Sequence, residues 1–248
     1  MKRPQIMVLA LGLSLAASAQ AQSEQERLLG QLLGGSKIAK PASGPAANIS
    51  NAEAGSGMKL ALSKATDVVV RQLGAPGGFA NDPKVRIGLP GQLGKYEKVL
   101  SLLDSAGVTD NLSGKLNSAA EGAVGKAGPL LKSAISQMTV SDAVGIVTGG
   151  PTSATDYFKR TMGKTLQAQM RPVVAKSLSG VNAFKALNSF TAKNQLPVGR
   201  FGAADLTGYV TQKTADGVFY YMGEHEKQIR ANPAGAGSAL ITKVFGGR

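Results

Sequence analysis

Apolar positions recur three and four residues apart along most of the chain, the spacing that gathers them on one side of a helix. Met58, Leu62, Ala65, Val69 and Leu73 form the first sustained stripe, with Gly74 placed as its stop. Leu93, Tyr96, Leu100 and Leu103 form the next, ended by Gly107. Thr109 is placed to cap a third helix bearing Leu112, Leu116, Ala119 and Ala123, which Gly114, Gly122 and Gly125 weaken by about 1 kcal/mol each relative to Ala. Pro129 suits the first turn of a further helix with Leu131, Ala134, Ile135 and Met138 on its apolar side.

Beyond it, Thr139 and Asp142 stand three apart as a variant capping pattern, and Gly149, Gly150 and Pro151 keep the helix that follows short. Phe158, Met162, Leu166, Met170, Val173 and Val174 then hold one register over several turns, and Pro172 within them predicts a kink or break near Gln169 to Arg171. Val181, Phe184, Leu187 and Phe190 make another stripe. Leu206, Val210, Val218, Tyr221, Met222 and Ile229 follow up to Asn232-Pro233, and a last helix bears Leu240, Ile241, Val244 and Phe245. Neither hairpin-linked strands nor strand–helix alternation is present. The expected fold is all-α: a single compact multi-helix domain, roughly eight to ten helices around one core.

One segment breaks the helical period. "GGFANDPKVRIGLP" (77–90) is a long Gly/Pro-containing loop in which Val85, Ile87 and Leu89 alternate with Lys84, Arg86 and Gly88, the sole strand candidate. Asn81-Asp82-Pro83 favours a tight turn, because Asn and Asp bond their own downstream backbone and Pro presets φ. Phe79 and the Val85/Ile87/Leu89 face are expected to pin the loop on the helices. Arg86 is then available either to satisfy a buried carboxylate, Glu121 or Asp156, which makes the loop a brace, or to receive an anion, which makes it a recognition element.

The amino terminus reads as an export signal: Lys2 and Arg3, an apolar run from Ile6 to Ala17 too short to span a bilayer, and Ala19-Gln20-Ala21 as a cleavage site. Residues 1–21 are thus expected to leave, followed by an N-terminal arm and linker over 22–52, in which 23–33 can form a short helix with Leu28, Leu29, Leu32 and Leu33 on one side and 34–51 is a Gly/Ser/Pro/Ala-rich linker, and then the helical domain over 53–248. The expected location is the periplasm, as a soluble protein with no transmembrane segment after cleavage. There are no cysteines, which excludes disulfides, thiolate metal sites and a lipid-modified N-terminal Cys. The net charge of +13, two less once Lys2 and Arg3 leave, favours an anionic partner. Outside the cytoplasm that means an anionic envelope component or an acidic protein. Lys and Arg are spread along the chain with no basic run, and Trp is absent, which argues against a nucleic-acid partner.

Several segments occur together in fixed order: "GGFANDPKVRIGLP", the Asn-x-Ala-Ala-Glu of Asn117 to Glu121, "QMTVSDAVGIVTGG", "ATDYFKR", and "GEHEKQIRANP" followed by "KVFGG". Across roughly residues 55 to 246 the chain resembles a bacterial family of exported proteins known as domain of unknown function 4197. The resemblance implies a helical periplasmic or envelope-associated domain and no particular reaction. Members of that family commonly place an Arg or Lys run before the last helix, whereas Ala234 to Gly237 here is small and uncharged.

Candidate chemistry is sparse. Glu121 lies in a small, apolar stretch of helix with Asn117 one turn earlier on the same face, so the two either share a structural polar pocket or serve chemistry. Asp156 near a helix start is explained by the helix dipole alone or is the second acid of a Glu121/Asp156 hydrolase or lyase, with Arg86 and Arg160 holding an anionic substrate. The only histidine, His225, has Tyr221 and Ile229 four residues to either side, so the zincin spacing is missing and no metal or other cofactor is called for. Glu226 and Arg230 form an i,i+4 pair of favourable polarity. There is no nucleophile elbow and no phosphate loop. Met58, Met138, Met162, Met170 and Met222 either fill core gaps or line an apolar cavity of a lipid-binding protein. The reading favoured is a non-catalytic binding or interaction module in which Phe79, Asn81, Asp82, Arg86, Asn117, Glu121, Asp156, Tyr157, Arg160, Glu226 and Arg230 are the binding candidates.

Overall fold

A computed structural model describes residues 49–97, 111–141, 143–193 and 202–246. The export signal 1–21, nearly all of the arm 22–52, Leu100, Leu103, Gly107, Thr109 and Asp142 lie outside the described residues. Among the described residues there are seven α-helices, α1 (Asn51–Leu73), α2 (Leu112–Gln137), α3 (Ala143–Thr148), α4 (Ser153–Gly180), α5 (Ala183–Lys193), α6 (Ala203–Ala231) and α7 (Ala239–Phe245), and no strand. Short 3-10 turns occupy Gly91–Tyr96 and Ala234–Ala236.

The four long helices close a ring in which α1 packs on α2, α2 on α4, α4 on α6 and α6 back on α1. Their apolar stripes point inward, and Met58, Leu62, Val69, Leu116, Leu131, Phe158, Leu166, Met170, Val210 and Met222 are all sealed from solvent. The methionines Met58, Met138, Met170 and Met222 fill this core, and Met162 packs at its edge. The short helices close the bundle, α3 and α7 against α1 and α5 against α2 and α4.

Helix starts follow local chemistry. Ser50 caps α1 in a reciprocal capping box with Glu53, and Gly74 ends that helix. Asn111 caps α2, its side chain accepting the Gly114 amide at 2.9 Å. The helix start expected at Pro129 is not made, because Pro129 lies inside α2, and of the kink or break expected near Gln169 to Arg171 the break does not occur, because α4 runs on through Pro172. In both cases the proline and the residue four earlier, Gly125 or Ala168, are exposed, so water can take the carbonyl that the missing N–H leaves free.

The 77–90 segment straps across the bundle. Val85, Ile87 and Leu89 are buried while Lys84 and Arg86 are exposed, so the strand-like alternation is real although no second strand pairs with it. Phe79 is fully buried against α6 at Gly217, where a Cβ would lie only 2.9 Å from Phe79 Cε1 and 3.4 Å from Val85 Cβ. The missing side chain at 217 is what lets the ring seat. Phe79→Ala is expected to lower unfolding free energy by about 3–5 kcal/mol, and Gly217→Val by about 1–3 kcal/mol. The double variant should cost less than the sum in urea denaturation, since the added methyls occupy the space the ring vacates.

Candidate functional site

A strap with buried apolar side chains also buries backbone N–H and C=O groups, which need partners. Local turns satisfy some of them: Asn81 N–H donates to Gly77 O at 3.0 Å, Arg86 N–H to Asp82 O at 2.8 Å, and Lys84 N–H to the Asp82 carboxylate at 3.0 Å. Gly77 takes φ +82°, a left-handed conformation open to glycine without strain. Side chains of α2 and α6 satisfy others.

Asn117 and Glu121, one turn apart on α2, hold the two limbs of the strap. The Asn117 amide pairs with Ile87 as a neighbouring strand would, accepting its N–H at 2.8 Å and donating to its C=O at 2.9 Å. Its second donor position reaches Ser113 O at 2.8 Å. Glu121 Oε1 accepts the N–H groups of both Phe79 and Ala80 at 3.1 Å. Both side chains are buried, Asn117 to 1 % exposure and Glu121 to 7 %. From α6, the Tyr209 hydroxyl donates to Gly88 O at 3.0 Å and the Tyr221 hydroxyl to the Asp82 carboxylate.

These contacts shift the phenols. The hydrogen bond to Asp82, reinforced by burial and the carboxylate's charge, pushes Tyr221 up to about 12. Burial, with the negative charge of Glu97 behind it, raises Tyr209 as well. In both cases the neutral phenol is the form that fits.

A second polar hub lies where α6 meets the ends of α3 and α4. Glu226, 2 % exposed, accepts the N–H groups of Ala154 at 2.9 Å and Thr155 at 2.7 Å, and so caps α4 from outside it. The N-cap residue Thr152 makes no cap bond of its own; its hydroxyl donates to Asp156 at 2.8 Å. Arg230 bonds Glu226 at 2.7 Å, donates to Ile146 O at 3.3 Å and Val147 O at 2.5 Å at the end of α3, and stacks 4.9 Å from the Phe245 ring. The expected i,i+4 ion pair is made, and it is buried, with side chains 6 % and 2 % exposed. Its anion sits at a helix start and its cation at a helix end, as helix dipoles require.

The eleven candidates thus fall into separate groups. Phe79, Asp82, Asn117 and Glu121 meet at the strap, with Asn81 exposed in its turn. Glu226 and Arg230 make the second hub. Tyr157 donates to Thr139 O at 2.5 Å and lies under Arg160 at 5.3 Å. Asp156 lines an open cleft of about 560 Å³ between α4 and α6, with Lys159, Asp216, Tyr220, Glu224 and Lys227. There Lys159 bridges to Asp216 at 3.3 Å and Lys227 to Glu224 at 2.7 Å. The expected pairing of Arg86 with Glu121 or Asp156 is not made: backbone amides occupy Glu121, the Thr152 hydroxyl bonds Asp156, and Arg86 is exposed with no ion pair among the described residues. Among those residues no cluster of three or more His, Asp or Glu side chains can hold a metal ion.

The span that carries these anchors matches a known family. The model of "Protein of unknown function (DUF4197)" covers residues 48–246. The chain belongs to that family. No curated protein and no solved structure matches it. The strap, Asn117, Glu121, Glu226 and Arg230 all lie within the span shared with DUF4197. Tyr209, Tyr221 and Gly217 are strap partners that sequence reasoning missed. Their apolar neighbours made Tyr221 look like core and gave no sign that either hydroxyl faced the strap.

Removing Arg230 leaves the buried Glu226 carboxylate without its counter-ion, so Arg230→Met is expected to cost about 3–5 kcal/mol, read from thermal and urea unfolding. At the strap, the raised Tyr221 value means its bond to Asp82 contributes fully below about pH 10, the usual tyrosine value, and is lost as pH climbs through about 12. Absorbance titration near 295 nm should show a late-titrating tyrosine that Asp82→Asn moves back towards its ordinary range.

Proposed function

We propose that this DUF4197 chain is an exported, non-catalytic recognition module whose working surface is the outer edge of the strap, accepting an anionic component of the envelope. The observation that carries the reading is the division of the strap into two sides. Its inner side is held by Asn117, Glu121, Tyr209 and Tyr221. Its outer side presents Arg86, exposed and without an ion pair among the described residues, and Lys84, exposed and 5.8 Å over the Tyr220 ring. Lys213, 5.9 Å over the Tyr209 ring, extends the basic edge onto α6. A braced backbone presents these cations with little ordering cost on binding, which favours affinity and specificity. The chain's positive net charge draws anions towards that edge from a distance.

The acid–base alternative gains no support. Glu121 lies beneath the strap with its Oε1 engaged by two amides, and Asp156 lines a different cleft, whose lining does not include Glu121. Export rests on the N-terminal signal pattern. No helix among the described residues is long and apolar enough to cross a membrane.

The test is co-sedimentation with phosphatidylglycerol vesicles and retention on immobilised heparin and polyglutamate, each as a function of salt. At least one polyanion should bind, weaken as salt rises, and lose about tenfold or more in affinity with Lys84→Glu/Arg86→Glu at unchanged melting temperature. Equal binding by the double variant, or no binding to any polyanion at low salt, overturns the proposal.

A further inference from the structure

A second cleft, of about 400 Å³, opens where α1, the end of α6 and the 234–236 turn meet, away from the strap's anchors. Val68, Ile229 and Ala236 supply an apolar wall, and Val68 is one of few large apolar residues left exposed. Lys64, His225 and Asn232 supply the polar groups. Lys64 is half-buried and forms no ion pair among the described residues; Asp67, one turn on, is taken by Lys132 at 2.6 Å. His225 Nδ1 lies 3.1 Å from Gln228 Oε1, while its Nε2 is sealed from solvent with no hydrogen-bond partner among the described residues.

We infer that this cleft is a binding site for an aliphatic monocarboxylate, with the carboxylate on Lys64 and the hydrocarbon against Val68, Ile229 and Ala236, beside the His225 ring. The ligand class follows from the wall chemistry. Lys64 selects an anion over an alcohol or an amine. The apolar wall favours a chain over a bare inorganic anion. The inference is independent of the strap, because no strap residue lines this cleft.

The chain has a single histidine, so its imidazole proton resonances report on this site alone. Sodium octanoate titrated into the full chain at fixed pH should shift them saturably, and Lys64→Gln should weaken binding about tenfold. Val68→Glu should abolish the shift while circular dichroism stays helical. Octylamine and acetate should bind far more weakly than octanoate, one lacking the carboxylate and the other the chain. The proposal falls if octanoate leaves the imidazole unmoved, if Lys64→Gln binds as tightly as the parent, or if octylamine matches octanoate. Because Lys84→Glu/Arg86→Glu leaves this cleft intact, octanoate binding by that variant separates failure here from failure of the strap reading.

Discussion

Everything at the strap depends on one constraint: backbone that is pressed onto an apolar core must keep its hydrogen bonds. A sheet would solve this with a neighbouring strand, and an all-helical bundle has none to offer. Asn117 takes that place, its carboxamide presenting the same donor–acceptor pair to Ile87 that a strand residue would. Glu121 completes the arrangement one turn later, its carboxylate serving two consecutive amides. An uncompensated carboxylate in such a place would be costly, and here two N–H dipoles offset its desolvation.

The Glu226–Arg230 hub applies the same logic to helix ends. A helix start and a helix end both bring orphan backbone groups into the interior, and a single i,i+4 pair on α6 answers both, with Glu226 on the amides of α4 and Arg230 on the carbonyls of α3. The bundle thus devotes its most buried charges to joining elements. What remains outside is a basic strap edge and open clefts.

Much of the fold was legible beforehand. The stripes Met58–Leu73, Phe158–Val174 and Leu206–Ile229 became three of the four long helices, and the alternation of Val85, Ile87 and Leu89 marked the buried face of the strap. Pro129 misled because it suited a first helical turn, whereas it lies inside α2 and faces water. Glu226 and Arg230 were recognisable as a pair, yet nothing local revealed that they were buried.

Periodicity alone determined that the protein is helical, which faces turn inward and where the irregular strap lies, because these follow from residue order over one or two turns. Only the tertiary structure decided which polar group meets which: Asn117 with Ile87, 30 residues away, Glu121 with Phe79, 42 away, and Tyr209 with Gly88, 121 away. Such bonds require matched positions on separate elements to within a few tenths of an ångström. That match is set by how the helices rotate and pack against one another, and no short stretch of sequence encodes it.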